Sequence, residues 1–238
     1  MTPVVLSEME TMRRVAATGC NLSRFGRCEL KLAQMRSGLA QAADARLSHA
    51  LRAVLKSASD HTLVCIPRLF DPWPDENKEK NYAEFAEPAV VDDLFEFVKV
   101  YGSTWVSRRD GWRDDMDEAA YWPLVRGVWR GRPVLLVAGS GKGRKAADEF
   151  LSNASSVDTL DAPERDAWAA RNAILGDIKA WAGAKRRPLV YMALGATAAW
   201  LAYALGGYGI QALDLGHMCQ SWAKCDMKSG EMKKVAAA

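Results

Sequence analysis

Residues 188–217 read PLVYMALGATAAWLAYALGGYGIQALDLGH, and this stretch decides the fold class. No charged residue occurs in it before Asp214, so it is long enough to span a bilayer. Four glycines before Asp214 nevertheless divide it into an apolar run, a short apolar helix and a second apolar run. We therefore predict a buried strand–helix–strand unit and no membrane span.

Outward from this unit, helix and strand signals alternate along the chain. Ser7 and Glu10 have the spacing of a capping box in a first helix that ends at Gly19. Further strands are expected at residues 21–25, 61–67, 103–108 and 132–139. Further helices are expected from residue 29 onward and at residues 39–56, 88–101, 115–129, 145–152 and 163–183, with a loop at 70–81. Gly102 is expected to end the helix at 88–101.

The alternation also defines the fold class and the domain organisation. Apolar strands separated by helices predict a Rossmann-like α/β fold, with a mostly parallel sheet covered by helices on both faces. We expect one domain over residues 1–238, with an N-terminal helix within 1–19 and a flexible tail at 223–238. Hydrophobic residues make up 49% and charged residues 26% of the chain, which excludes disorder and collagen-like repeats.

Charge and cysteine content narrow the class further. A formal net charge of +3 without a dense basic stripe tolerates an anionic ligand but does not predict a nucleic-acid binder. Five cysteines without a C-x-x-C pair indicate neither a disulfide framework nor a zinc ribbon. The first ten residues lack a basic region followed by an apolar run, so no signal peptide is expected. We expect a cytoplasmic protein, in the host cytoplasm if the chain is phage-encoded.

Candidate ligand contacts lie in the loops after the strands, because open parallel sheets bind ligands outside the carboxyl ends of their strands. The strand at 132–139 leads into Gly-Ser-Gly-Lys-Gly, whose glycines let backbone N–H groups approach an anion. Gly143 follows Lys142 where a phosphate loop needs Ser or Thr, and Arg144 stands where a dinucleotide fingerprint needs glycine. These departures disfavour ATP or NAD binding, and leave open an anion contact through Lys142 and Arg144 or a plain surface turn.

Two more segments that follow strands carry polar side chains. In SRFGRCE (23–29), Arg24 and Glu29 fit a solvated pair at a helix start, where a carboxylate is favoured by the helix dipole. In DLGH (214–217), an acid and a histidine follow a strand, and a lone histidine near a glycine is more often structural than catalytic. Residue types alone leave both segments open between a structural and a functional role.

Three of the nine tryptophans are placed to contact a ligand. Trp73, Trp105 and Trp112 lie in or beside the loops at strand ends, where they offer flat apolar platforms for a sugar or a base. The tryptophans on predicted helices are expected in the core.

Several segments, taken in chain order, carry a resemblance to one known family. They are SRFGRCE, YGSTWVSR, WRGRPVLLVAG with KGRKAADEFLSNASSV, APERDAWAARNAIL, LVYMALGATAAWLAYAL and GIQALDLGHM. The first is similar to the S-R-F-G-D-G-E motif, and the last to the G-x-Q-A-I-D-I-G-H motif, of the GT-D type glycosyltransferases, a group once catalogued as a domain of unknown function. The resemblance covers residues 21–222, and its specificity lies in the order of the motifs.

The resemblance implies a single GT-D-like domain that transfers a sugar from a nucleoside diphosphate donor, with UDP as the expected nucleotide. Glu29 matches the second acid of the family's D-x-E motif, and Asp214 and His217 match its D-I-G-H segment. These three are therefore the candidate catalytic residues, any of which could take the acceptor's proton. The expected donor-binding residues are Ser23, Arg24, Phe25, Gly26, Arg27, Gly139, Lys142, Arg144, Gly195 and Thr197. The residues expected on the acceptor side are Trp73, Trp105, Arg108 and Trp112.

The chain departs from the family pattern at the positions that concern a metal. Arg27 stands where the first acid of D-x-E would be, and Cys28 stands where its glycine would be. Glu29 is then the one candidate metal ligand. We expect Mn²⁺ or Mg²⁺ with weakened dependence, because an arginine repels a cation but can hydrogen-bond the diphosphate oxygens itself.

Two classes of function remain at this point. The first is an enzyme, acting on a hydroxyl of a glycan or glycoprotein or, as an alternative, on a hydroxymethyl pyrimidine of phage-type modified DNA. In the DNA alternative the phosphate contacts would be Arg108, Arg109, Arg113 and Arg132. The second class is a non-catalytic nucleotide-sugar-binding or scaffold protein on the same fold.

Overall fold

The predicted strand–helix–strand unit belongs to a sheet of eight strands. The computed structural model describes residues 3–69, 82–96, 99–112, 116–139 and 144–225, and its neighbouring strands pair in parallel. The strands are β1 (Val4–Val5), β2 (Asn21–Arg24), β3 (Thr62–Ile66), β4 (Val100–Ser103), β5 (Pro133–Ala138), β6 (Ser156–Asp161), β7 (Leu189–Ala193) and β8 (Gln211–Asp214). Their order across the sheet is β1-β4-β3-β2-β8-β7-β5-β6.

Helices cover both faces of this sheet. Within the described residues they are α1 (Glu8–Thr18), α2 (Arg27–Ala33), α3 (Ala45–Lys56), α4 (Pro88–Leu94), α5 (Glu118–Gly127), α6 (Arg144–Phe150), α7 (Arg171–Gly183), α8 (Ala196–Gly206) and α9 (Met218–Ala223). On β5, Val134 and Leu136 belong to one core cluster and Leu135 and Val137 to the other, as the two-residue period of a strand requires. The predicted single α/β domain with a parallel sheet is confirmed.

Strands β2 and β8, whose carboxyl ends carry the predicted site, lie side by side. Strand β2 pairs with β8 where Leu22 lies beside Leu213. From β2 the chain proceeds to β3 on one side, whereas β8 lies on the other side and is reached through β7. Such a change of direction opens a crevice at the carboxyl ends of the strands, where α/β sheets bind ligands.

Helix α8 is held across β2 and β8 by buried hydrogen bonds. The Asn21 side-chain amide donates to the carbonyl of Ala202 at 2.6 Å, and the Ser23 hydroxyl donates to the carbonyl of Ala199 at 2.8 Å. The polar side chains of β2 are thereby satisfied inside the core by the backbone of an otherwise apolar helix. The N-terminal end of α8 consequently lies at the carboxyl edge of the sheet.

The strand expected at residues 103–108 lies instead at Val100–Ser103. Gly102 does not end a helix; it lies within β4, where a Cβ would be 2.6 Å from Cys65 Sγ. The absent side chain therefore lets β4 pack closely against β3. Residues Thr104–Ser107 form a 3₁₀ turn, and the helix expected to reach residue 101 ends at Leu94.

Other boundaries also differ from the prediction. Residues 39–44 are not helical, because α3 begins only after Asp44, whose side chain caps it by accepting from the Leu47 N–H at 2.8 Å. The edge strands β1 and β6 were not expected, and the helix expected at 163–183 begins with a 3₁₀ turn before α7. The predicted loop at 70–81 lies outside the described residues, as does the predicted tail beyond residue 225. No helix in the described part of the chain is long and apolar enough to cross a membrane.

Candidate active site

A pocket of about 310 Å³ opens at the carboxyl edge of the sheet, over the ends of β2, β7 and β8. Other parts of its wall come from the chain that follows β4, from the start of α2, and from Leu39 and Tyr82. The residues that line it are Arg24, Gly26, Arg27, Cys28, Glu29, Leu39, Tyr82, Thr104, Trp105, Arg108, Ala193, Gly195, Asp214, Gly216 and His217. Nine of the residues expected from the sequence are therefore brought to one pocket.

Arg24 and Asp214 form a nearly buried ion pair at the base of this pocket. Both end their strands, and the parallel pairing of β2 with β8 places them together. The guanidinium Nη2 lies 3.0 Å from Oδ1 of Asp214, and Nε donates to the Asp214 backbone carbonyl at 2.6 Å. The third nitrogen, Nη1, donates to Ser107 Oγ. Arg24 therefore joins β8 to the chain after β4.

Gly216 makes this arrangement sterically feasible. Its φ of +47° favours glycine, and a Cβ there would lie 2.3 Å from Nη2 of Arg24. The Gly in DLGH is thus required twice, by its own backbone conformation and by the close approach of the guanidinium. The acid and the histidine of the segment do not by themselves indicate this role of the glycine.

The two pocket carboxylates differ in their surroundings. Burial raises the pKa of Asp214, and the neighbouring Arg24 guanidinium counters that rise. Burial and the nearby charge of Asp214 raise the pKa of Glu29, whereas hydrogen bonds from the backbone oppose the rise. Asp214 is only 3% exposed and bound to Arg24, so it is suited to positioning the guanidinium rather than to taking a proton from a substrate.

Glu29 also has a structural role at the start of α2. Its Oε2 accepts the Gly26 N–H at 2.9 Å, which is half of a capping box, since glycine has no side chain to complete the other half. The solvated Arg24–Glu29 pair expected from residue types is wrong, because Arg24 is nearly buried and pairs with Asp214. The expected carboxylate at a helix start is confirmed for one oxygen of Glu29. The same geometry turns the side chain into the pocket, where it is half-buried.

His217 is the most exposed of the three candidate catalytic side chains. It directly precedes α9 and its side chain bonds that of Gln220. Partial burial and the positive charges of Arg24 and Arg108 lower the pKa of this imidazole below its usual value. The ring is consequently neutral at pH 7 and able to accept a proton.

Trp105, Tyr82 and Arg108 form the wall opposite the strand ends. The Trp105 and Tyr82 rings meet edge to face with their centroids 5.9 Å apart, and the Arg108 guanidinium lies 5.8 Å from the Trp105 ring. The Tyr82 hydroxyl accepts the Arg27 N–H at 3.3 Å, and burial raises the pKa of Tyr82 to about 12. Tyr82 was not anticipated from the sequence, because no motif surrounds it.

Other expected site residues lie elsewhere. Ser23 and Phe25 are fully buried and belong to the core beneath the pocket, as does Thr197 at the first turn of α8. Trp112 is buried, and its Nε1 donates to the Trp105 carbonyl, so it supports the wall without lining it. Gly139 ends β5 at the same edge, against the Glu164 side chain. The residues Trp73 and Lys142 and the side chain of Arg144 lie outside the described part of the structure.

The pocket offers few protein ligands for a metal ion. Glu29 and Asp214 are its two carboxylates, and Asp214 is bound to a guanidinium. Across the described residues, no three His, Cys, Asp or Glu side chains are grouped so that they could bind a metal. Arg27 Nη2 lies 3.7 Å from Glu84 Oε1 at the pocket rim, where the guanidinium adds positive charge. The side chains present therefore do not form a metal centre by themselves.

The fold and the pocket define an α/β enzyme domain with its site at a topological switch point. A family model described as "Glycosyltransferase GT-D fold" matches residues 22–237. Two curated relatives are "Glycosyltransferase GlyD" of Streptococcus pneumoniae serotype 4 (27% identical over 234 residues, 95% of this chain) and "Probable glycosyl transferase Gly" of Streptococcus gordonii (26% over 239 residues, 98% of this chain). The chain spans 28% and 34%, respectively, of the length of these relatives.

Solved structures agree with the family match. One, described as a new glycosyltransferase (DUF1792) from Streptococcus sanguinis, has a TM-score of 0.83 and 26% identity, and covers 93% of this chain and 84% of that one. Another, of the domain of unknown function 1792 with "a distinct glycosyltransferase fold", has a TM-score of 0.84 and 26% identity over 94% of this chain and 82% of that one. The chain belongs to the family of glycosyltransferases with the GT-D fold, which confirms the resemblance and the enzyme class predicted from the sequence.

Proposed function

We propose that this chain transfers a sugar from a nucleoside diphosphate donor, with UDP as the nucleotide, to a hydroxyl of a glycan or glycoprotein. The observation that carries the proposal is the meeting of Arg24, Arg108, Glu29 and His217 in one pocket at the carboxyl edge of a GT-D domain. Glycosyl transfer builds negative charge on the departing diphosphate and releases a proton from the acceptor. The pocket offers cations for the first need and a neutral base for the second.

In this proposal the residues take separate roles. The diphosphate lies against Arg24 and Arg108, which hydrogen-bond its oxygens as the bond to the sugar breaks. The neutral imidazole of His217 accepts the acceptor's hydroxyl proton as the new glycosidic bond forms. Asp214 holds Arg24 in place, and Glu29 keeps the start of α2 against the pocket. No step requires a metal ion bound by the protein alone.

Thermal melting with UDP, GDP and their sugars tests the donor. A ligand present at a hundred times its dissociation constant stabilises the folded state by about 2.7 kcal/mol. We expect that stabilisation with UDP or a UDP-sugar. An unchanged melting temperature with every nucleotide would contradict the proposal, and binding without donor hydrolysis or transfer would favour the scaffold alternative.

His217→Ala tests the base. We expect turnover to fall at least about tenfold, which corresponds to about 1.4 kcal/mol of barrier, while the melting temperature stays near that of the unmodified protein. His49→Ala is the matched control, because His49 is an exposed histidine on α3 away from the pocket. Equal turnover in the two variants would remove His217 from the reaction.

No contact in the structure favours DNA as the acceptor. Of the arginines expected to bind phosphates, Arg108 contacts Asp110 and Arg109 contacts Glu118. Arg132 donates to the backbone carbonyls of residues 128, 187 and 188 and to the Gln211 side chain. Arg108 lines the pocket that we assign to the donor, Arg109 and Arg132 are engaged within the protein, and Arg113 lies outside the described residues. The glycan or glycoprotein acceptor is therefore the one we propose.

A further inference from the structure

The pocket wall after β4 is a short irregular segment that must be held in place by other parts of the molecule. We define the wall segment as residues 104–112, which form two 3₁₀ turns, Thr104–Ser107 and Arg109–Gly111. Three of its residues, Thr104, Trp105 and Arg108, line the pocket, and Ser107 accepts a hydrogen bond from Arg24. The position of this segment therefore sets the shape of the pocket.

A buried ion pair lies behind the wall segment, outside the pocket. Glu8, in the first turn of α1, is 2% exposed, and Arg68, just after β3, is 6% exposed. Arg68 Nη1 lies 3.4 Å from Glu8 Oε2. Neither residue lines the pocket, and the proposed reaction uses neither of them.

One chain of hydrogen bonds leads from Glu8 to Trp105. The Ser103 hydroxyl donates to Glu8 Oε1 at 2.8 Å and accepts the Trp105 backbone N–H at 3.1 Å. A hydroxyl has one donor and two acceptor sites, so both bonds form together. Glu8 therefore fixes the hydroxyl that holds the start of the wall segment.

A second connection leads from Arg68 to the same tryptophan. Arg68 Nη2 donates to the carbonyl of Gly111 at 3.0 Å. Gly111 lies directly against the Trp105 ring, since a Cβ at this position would be 1.9 Å from a ring carbon. Arg68 thus anchors the backbone on which the ring rests, and both ends of the wall segment are bound to the same ion pair.

Stability alone is a weak reason to bury such a pair. Losing one buried partner is strongly destabilising, whereas replacing both charges together is often neutral, so a buried pair contributes little net stability. We propose that Glu8 and Arg68 are positioning residues of the active site, which hold the wall segment so that Trp105 and Arg108 face the donor. Only the identity of the ligand in this inference depends on the proposed function.

The experiment compares Arg68→Met and Glu8→Gln with the double variant Glu8→Gln/Arg68→Met. The double variant removes both charges, and glutamine keeps an acceptor for the Ser103 hydroxyl. We expect it to regain stability lost in the single variants, measured by denaturant unfolding. We also expect the amides of Gly111 and Trp112 to exchange hydrogen roughly tenfold faster than in the unmodified protein. UDP should bind roughly tenfold more weakly, because the wall is no longer positioned.

Two further variants make the experiment specific. Arg68→Lys keeps a positive charge near Glu8 but lacks the planar fork that reaches both Glu8 and Gly111, so the same faster exchange is expected even if the double variant does not fold. Arg52→Met is the matched control, because Arg52 forms an ion pair with Asp93 on the surface. It should leave both exchange and UDP binding unchanged.

The outcomes separate this inference from the proposed function. Hydrogen exchange is measured without nucleotide. If the protein bound no UDP, the proposed function would be contradicted, but the exchange rates would still test how the wall segment is held. Unaltered exchange at Gly111 and Trp112 in the folded variants would overturn the inference. It would also be overturned if exchange became faster while UDP affinity stayed the same.

Discussion

Gly216 controls whether Arg24 can reach Asp214, because its backbone lies where any side chain would meet the guanidinium. We predict that Gly216→Ala displaces Arg24 and weakens UDP binding roughly tenfold or more, since the cation then lies away from its pocket position. The substitution also places an L-residue at a φ of +47°, at a cost of about 1–2 kcal/mol in folding stability. Calorimetric titration with UDP and denaturant unfolding measure the two effects.

Gly209 provides the matched control for that substitution. Its φ is +68°, but nothing lies within 4 Å of the position that a Cβ would take. Gly209→Ala should therefore lose similar stability and retain UDP binding. If both variants bound UDP alike, the close approach of Arg24 would have no functional consequence.

Arg108 is expected to influence the protonation of His217 across the pocket. Its positive charge is one cause of the lowered pKa of the imidazole, after burial and Arg24. In Arg108→Gln we predict that the pKa of His217 rises toward its usual value of about 6.5, because the imidazolium form loses a repulsive neighbour. As the solution is acidified, the variant should then lose activity at a higher pH than the unmodified protein does, because the proposed reaction needs the neutral ring.

Histidine NMR measures this shift directly, because the chain has three histidines. Arg109→Gln is the control, since Arg109 lies next to Arg108 on the wall segment but contacts Glu118. It should leave the His217 titration in place. A titration of His217 that was the same in Arg108→Gln as in the unmodified protein would show that its charge does not reach the ring.

Strand β4 illustrates how close packing appears as a glycine in a sequence. A Cβ on Gly102 would lie 2.6 Å from Cys65 Sγ and 2.9 Å from Thr11 Cγ2, on β3 and α1 respectively. We predict that Gly102→Ala destabilises the fold by about 1–3 kcal/mol through overpacking. In contrast, Gly176→Ala in α7 has open space around it and should stabilise by about 0.5–1 kcal/mol. Denaturant unfolding compares the two, and a neutral Gly102→Ala would contradict the packing argument.

Regular elements with strong apolar patterns could be predicted from the sequence, and those governed by tertiary contacts could not. The strands β5 and β7 could be predicted because they are buried on both faces and so are apolar throughout. Strand β8 could be predicted from the second run of the 188–217 stretch. Strand β6 was missed because it lies at the sheet edge, where its half-exposed residues give a polar segment. The position of β4 is predicted wrongly because Gly102 resembles a helix stop in the sequence. Its role in close packing becomes visible only through its contacts with Cys65 and Thr11 in the folded protein.

At the scale of the whole molecule, the part of the site that lies at the ends of strands could be predicted from the sequence. Arg24 and Asp214 end their strands, Glu29 and His217 lie a few residues beyond the same strands, and the parallel sheet brings all four to one edge. The support behind the wall was not predicted, because Glu8 and Arg68 are charged residues far apart in sequence whose burial depends on the completed fold. Local motifs thus locate the pocket, whereas the hydrogen bonds behind its wall join segments that are distant in sequence.

Charge balance over the assembled pocket leads to the last prediction, on metal dependence. Among the described residues, three arginines and two carboxylates line the pocket, so a diphosphate meets an excess of positive charge from them without any added ion. We predict that saturating UDP at a hundred times its dissociation constant stabilises the protein by about 2.7 kcal/mol in EDTA as well as in Mg²⁺ or Mn²⁺. For a domain of this size that is a rise of roughly 5–11 °C in melting temperature.

The contribution of Arg27 is measured in the same melting experiment. Because its guanidinium stands at the pocket rim in place of an acid, Arg27→Ala should reduce the UDP-dependent rise in EDTA and make the protein more responsive to added Mg²⁺ or Mn²⁺. Arg36→Ala is the control, because Arg36 contacts the same Glu84 carboxylate but does not line the pocket. If EDTA abolished the rise in the unmodified protein while Arg27→Ala changed nothing, the ion rather than Arg27 would be the counter-charge for the diphosphate.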